Sequence, residues 1–110
     1  MRAEPTAAAQ TLRLAPTASG RFSAQGPLTF ASARLARLAG LEALKAAPPQ
    51  SLEIDCAGVA TADSAGLAVL LDWLAAAKLS GHSLKFTGLP QDLAALAHIS
   101  ELEPLLTRGV

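Results

Sequence analysis

One stretch restricts this chain more than any other: VATADSAGLAVLLDWL, residues 59–74. It follows an apolar and acidic run from Ser51 to Cys56 that reads as a strand. It then opens a helix at Asp63-Ser64, where a side-chain oxygen can accept from a first-turn N–H. Nothing between Gly66 and Leu79 breaks that helix, and Gly81 ends it. At about 100° per residue, Leu67, Leu70, Leu71 and Leu74 share a face suited to packing on a sheet. The opposite face carries Ala65, Ala68, Val69, Asp72, Ala76 and Leu79, with a single carboxylate. A helix apolar nearly all round needs cover on two sides, and in a chain of 110 residues another protein is a candidate for the second cover. Trp73 lies beside the outward face and reads equally as a partly buried aromatic or as an interface anchor, because Trp is enriched at hot spots.

Before and after this stretch the chain punctuates itself clearly. Residues 1–10 are Ala, Pro and polar, which predicts a loose tail ahead of one domain spanning 11–110. Leu12 to Ala15 and Arg21 to Gln25 both alternate around the turn residues Pro16 to Gly20, which predicts an antiparallel hairpin. Thr29 is placed to cap a helix from about Phe30 to Lys45, with Leu35, Leu38, Leu41 and Leu44 as its inner face and Pro48-Pro49 as its stop. Ser51 to Cys56 turns Leu52, Ile54 and Cys56 to one side. Ser83 to Thr87 alternates through Leu84 and Phe86. Pro90 starts a helix over Gln91 to Ile99, with Leu93, Leu96 and Ala97 inward, and Ser100 to Leu106 adds a last helical turn around Pro104. The order β-β-α-β-α-β-α predicts an α/β fold with a four-stranded mixed sheet covered by helices. Right-handed crossovers make the second, third and fourth strands parallel and leave the first antiparallel at an edge. Ser64 then stands at the carboxyl end of a central strand, where ligands and contacts gather in such sheets.

Formal net charge is zero, so the basic footprint of nucleic-acid binding is missing, as is a polybasic membrane patch. No targeting segment is visible at the start, and the most apolar run, Leu67 to Ala77, is too short to span a bilayer. The lone Cys56 fits a reducing compartment and reads as an inert core thiol. Asp63-Ser64-Ala65-Gly66 invites comparison with an esterase nucleophile, but the elbow wants Gly two residues before the Ser, and that position is Ala62. His82 lies in a turn and His98 near a helix end; neither completes a triad or a metal spacing, and both read as surface or capping residues. A phosphate-binding loop is absent, and Asp55 and Asp63 do not form a carboxylate pair. No catalytic residue, metal or cofactor is expected. A phosphate on Ser64 would sit at a helix N-terminus, beside Asp63, and could alter the surface without unfolding the domain.

At Ile54-Asp55, at Thr61-Ala62-Asp63-Ser64-Ala65-Gly66-Leu67 with the helix beyond, and at Gly81 with the strand Leu84 to Thr87, the chain resembles the STAS domain, the anti-sigma-factor-antagonist fold. The likeness runs from about Leu12 to Leu106. In the antagonists the Ser after the Asp is phosphorylated by a partner kinase, which here implies Ser64. A closer resemblance is to the MlaB-like STAS subunits of Mla-type ABC transporters, which maintain phospholipid asymmetry of the outer membrane. Their Val-Asp-Thr-x-Gly-Leu-Ala-x-Leu-Leu is similar to Ala62 to Leu71, with Ser64 for Thr and Ala62 for Val; residues 26–29 read Gly-Pro-Leu-Thr in place of Gly-Glu-Leu-Asp. This resemblance implies a cytoplasmic, non-enzymatic subunit that binds an MlaF-like ATPase, reaches the inner-membrane permease indirectly, and neither binds nucleic acid nor inserts in the membrane. The partner-binding residues it implies are Thr61, Asp63, Ser64, Ala65, Ala68, Val69, Asp72 and Trp73. The alternative it carries is an anti-sigma-factor antagonist switched at Ser64.

Overall fold

A computed structural model of the chain describes residues 11–47 and 50–109. The expected tail at 1–10 and the Pro48-Pro49 stop lie outside the described residues. The hairpin pairs β1 (Arg13–Ala18) with β2 (Arg21–Leu28), antiparallel, through a turn in which Gly20 takes φ 74°. A helix α1 (Ala33–Ala46) crosses to β3 (Ser51–Ala62), α2 (Ser64–Leu79) crosses to β4 (Ser83–Thr87), and α3 (Gln91–Ile99) and α4 (Glu103–Arg108) follow. The sheet order is β1-β2-β3-β4, with β2, β3 and β4 parallel. Element order, strand directions and the edge position of β1 match the sequence reading.

β4 spans the expected Ser83–Thr87, but the first three strands are longer than their alternation suggested, and β3 shows why. Ser23↔Asp55 is followed by Gln25↔Gly58, and Gly26↔Val59 by Leu28↔Ala62, so β3 twice uses one residue more than β2. Each bulge absorbs a residue without ending the strand. The buried set therefore shifts phase, from Leu52, Ile54 and Cys56 to Val59. Pro27 is tolerated in β2 because the β1 ladder stops at Arg13↔Gln25, leaving no partner on that side for the N–H it lacks.

Among the described residues only one face of the sheet is covered. Leu52, Ile54, Cys56, Leu84 and Phe86 are buried, while the intervening Ser51, Asp55, Ser83 and Lys85 stay exposed. Strands that step steadily in one direction through right-handed crossovers place all their helices on the same side. The second cover of α2 is therefore supplied within the chain, by α1 on one flank and α3 on the other. Bare-face side chains make their own polar contacts: Lys85 Nζ lies 3.7 Å from Glu53 Oε1, and the Thr87 hydroxyl donates to Glu53 Oε2 at 3.5 Å.

Helix α1 departs from its predicted face. It starts at Ala33, with Ser32 rather than Thr29 at the N-cap. Its buried residues are Ala36, Gly40 and Leu44, whereas Leu35 is 57% and Leu38 45% exposed. A leucine every third residue drifts around a helix, and nine residues at about 100° each carry Leu35 to the side opposite Leu44. Two residues of the true inner stripe, Ala36 and Gly40, are small, which lets α1 approach α2 closely. Trp73 fills the space: it is fully buried, its Nε1 donates to Arg37 O at 3.2 Å, and its ring stacks on Phe86 at 6.4 Å between centroids. A Cβ on Gly40 would overlap Trp73 Nε1 and Cε2. Val69, also expected on the outward face, is buried as well. Both errors have one cause: α1 docks on the flank of α2 that the sequence reading left to a partner.

The far ends of the helices are closed by backbone and side-chain caps. Gly81, at φ 81°, lets His82 N donate to Ala77 O at 2.8 Å, the 6→1 bond that ends a helix in a left-handed residue. After α3 the same bond, Leu102 N to Ala97 O at 2.8 Å, is made around Glu101 at φ 59°. His82 is buried rather than at the surface, and its Nε2 meets Leu44 O at 2.8 Å, a last-turn carbonyl of α1. Helix α4 seats Leu106 in the core, and Gly109 comes so close to β4 that a Cβ there would stand 2.6 Å from Leu84 O.

Candidate functional site

The site is the N-terminus of α2, and Asp63 builds it. Asp63 sits in extended geometry at the end of β3 and turns its carboxylate back on the chain. Oδ1 accepts from Ala65 N at 2.9 Å and Gly66 N at 3.2 Å, satisfying two of the four free amides at a helix start. Oδ2 accepts from Phe30 N at 3.1 Å, so the same carboxylate staples the β2–α1 loop to α2. These donors, Phe30 N–H foremost, hold the Asp63 carboxyl below its ordinary pKa, with partial burial opposing them. Gly66 is required by closeness: a Cβ there would overlap Leu28 O at the end of β2. Within the loop the buried Ser32 hydroxyl donates to Pro27 O at 2.8 Å and accepts from Thr29 N at 3.0 Å. The scaffold beneath the site is thus tied at three points.

Ser64 follows, exposed, as the first residue of α2. Its hydroxyl makes no hydrogen bond among the described residues, so capping falls to Asp63 alone. Down the helix, Ala68, Asp72 and Ala75 are exposed on the same side, with Ala65 and Leu71 half-buried at its margins. Asp72 is not a free charge: Arg37 Nε on α1 donates to its Oδ2 at 3.1 Å. Thr61 is exposed near the end of β3. Of the eight residues expected here, Thr61, Asp63, Ser64, Ala65, Ala68 and Asp72 lie on this surface, and Val69 and Trp73 belong to the core.

The sequence reading missed Phe30. It had been taken as the first residue of α1; it stands in the loop before it, 84% exposed, with its amide held by Asp63. The available signal was an aromatic between the turn residues Gly26-Pro27 and the first helical alanines. Arg37 was missed as the partner of Asp72, because pairing across helices follows from docking.

Among the described residues neither histidine lies beside Ser64. His82 caps α1 beyond the C-terminal end of α2, and sixteen residues of helix put about 24 Å between that end and Ser64. His98 closes α3 and faces Glu103 Oε1 at 3.7 Å. Burial, with the charge of Asp55 second, pushes the Cys56 thiol up to about 12, which keeps it protonated near neutral pH. Among the described residues no three His, Cys, Asp or Glu converge to hold a metal, and no helix is long and apolar enough to cross a membrane. An open depression of about 220 Å³, lined by Ser19, Gly20, Arg21, Ser51, Leu52, Glu53 and Lys85, lies at the opposite end of the strands from Ser64.

Comparison with known proteins agrees with this geometry. The family described as Mlab, STAS domain matches residues 7–107. Among curated protein sequences none matches the chain. Among solved structures, the anti-sigma factor antagonist SpoIIAA in its unphosphorylated form superposes with a TM-score of 0.60 at 11% identity, over 80% of this chain and 82% of that one. At that identity the likeness is one of fold.

Proposed function

The chain belongs to the STAS domain family, and from that premise we propose that it is a non-enzymatic, cytoplasmic subunit that docks on and supports the ATPase of an Mla-type ABC transporter. In this reading the transporter maintains outer-membrane phospholipid asymmetry, and the chain meets the inner membrane only through the assembled complex. The observation that carries it is the surface headed by Ser64. An exposed hydroxyl, small side chains at Ala65, Ala68 and Ala75, and one neutralised ion pair give a flat, weakly charged helix face at the carboxyl end of the sheet. Such a face meets a second protein without stranding a buried charge. Thr61 and Asp63 border it, Asp63 as the group that holds it in shape.

Ala68→Arg tests the placement. Ala68 is exposed, so circular dichroism should show an intact fold, while co-purification with the Mla-type ABC ATPase of its native host should be lost. Retained co-purification would remove α2 from the interface. A second reading, the anti-sigma-factor antagonist, is favoured by the free hydroxyl of Ser64. It predicts a phosphorylated fraction in protein from the native host, which intact-mass spectrometry detects; the transporter reading predicts none.

A further inference from the structure

The ends of α1 and α2 that flank Phe30 are unusual in charge. These helices run parallel, with both N-termini at the carboxyl end of the sheet, where their dipoles favour anions. Yet neither has an acidic residue in its first turn, and α1 instead carries Arg34 in its first turn and Arg37 next to it. Asp63, the carboxylate at this end of α2, is consumed by three backbone amides. Arg37 is tied to Asp72, and Arg34 has no ion-pair partner among the described residues. Within the chain, this placement of cations works against the helix field.

Phe30 is equally unexplained by folding. Its ring is 84% exposed and takes no part in the core. Its backbone is nonetheless fixed by the Asp63 carboxylate on one side and the Ser32 turn on the other. A large side chain with two torsions on a rigid loop loses little freedom on binding, which is the property of an interface anchor. Because Asp63 also shapes the start of α2, Phe30 and Ser64 belong to one continuous surface.

We propose that Phe30 is the anchor of the docking surface, inserting into an apolar pocket of the partner ATPase whose rim supplies a carboxylate to Arg34. The proposal rests on the reading above and adds the partner's chemistry: an aromatic-sized apolar pocket bordered by acid. The positive ends of two helices with an uncompensated Arg34 call for a negative rim. An anionic membrane is the lesser fit, since lipid recognition uses clusters of about four to eight cations and this surface offers Arg34 and an already paired Arg37.

Titration calorimetry of the full chain against the Mla-type ABC ATPase of its native host tests this at two salt concentrations. Phe30→Ala is expected to weaken binding about tenfold or more, with Phe30→Tyr close to wild type. Arg34→Ala is expected to weaken it less and to flatten its salt dependence. The urea midpoint of Phe30→Ala should match wild type; a fall would place the ring against its own chain and overturn the proposal. Binding by Phe30→Ala within about twofold of wild type, while Ala68→Arg abolishes it, would overturn the anchor and leave the α2 reading standing. Wild-type binding by both variants would remove the reading itself. Capture of the chain by phosphatidylglycerol vesicles, lost in Phe30→Ala, would assign the ring to lipid and overturn the proposal as well.

Discussion

Gly40→Ala sets two forces of opposite sign against each other. Helix propensity alone makes the substitution favourable by about 1 kcal/mol, because Gly is a poor residue in a helix interior. The structure predicts the reverse. The new Cβ would overlap Trp73 Nε1 and Cε2 and stand 2.6 Å from Cδ1. Trp73 has no slack to yield, being fully buried, bonded to Arg37 O and stacked on Phe86. Overpacking of this kind costs roughly 1–3 kcal/mol. Loss of the indole hydrogen bond adds about 1 kcal/mol. Set against the propensity gain, the net is a destabilisation of about 1–3 kcal/mol, a large share of a small domain's stability. Urea unfolding read by the fluorescence of Trp73, the single tryptophan, measures it directly. In a Trp73→Leu background, followed by circular dichroism, the clash is gone and Gly40→Ala should become stabilising. A raised urea midpoint for Gly40→Ala in the wild-type background would refute the close approach of α1 to α2.

Two further outcomes follow from the caps. Asp63→Ala removes the N-cap and the staple to Phe30 N, and should lower stability by roughly 0.5–2 kcal/mol near neutral pH. Because the folded pKa of Asp63 is lowered, this stabilisation is full above the unfolded carboxylate value of about 3.9 and is lost as pH falls through the folded one, so the urea midpoints of wild type and variant should converge in acid. Glu101→Gly relieves a left-handed residue at φ 59° and should raise stability by about 1 kcal/mol, read as a higher urea midpoint.

Much of this fold could be read from residue order because its elements are short, well punctuated and joined by crossovers of fixed hand. Asp63-Ser64 was legible for the same reason, since a capping pair between a strand and an apolar run has few alternative meanings. What escaped was lateral. The face of α1 was misjudged because three-residue leucine spacing mimics a helical stripe for one turn and then drifts away from it. Val69 and Trp73 were turned outward because α2 buries more than half its circumference, so its own sequence does not say where its neighbours stand. The information lay in a pair of residues far apart, a mid-helix Gly40 and a lone Trp73, each odd alone and explained by the other. Gly58 hid the second half of β3, because alternation breaks at a bulge while pairing continues. Phe30 was absorbed into a helix that starts three residues later, because the bond that holds its amide in the loop comes from Asp63, far along the chain.

The two outer strands of the sheet carry a consequence for how copies of this chain behave when crowded together. An unguarded outer strand offers a row of amides and carbonyls on which any extended segment can crystallise. Here β1 carries Pro16, which lacks an amide hydrogen, and its register slips between Pro16 and Ala18. At the other margin α4 packs along β4, and the chain passes Leu84 O at Gly109. Both margins are therefore poor templates for strand addition. Association is steered away from open-ended fibres and toward the helical side.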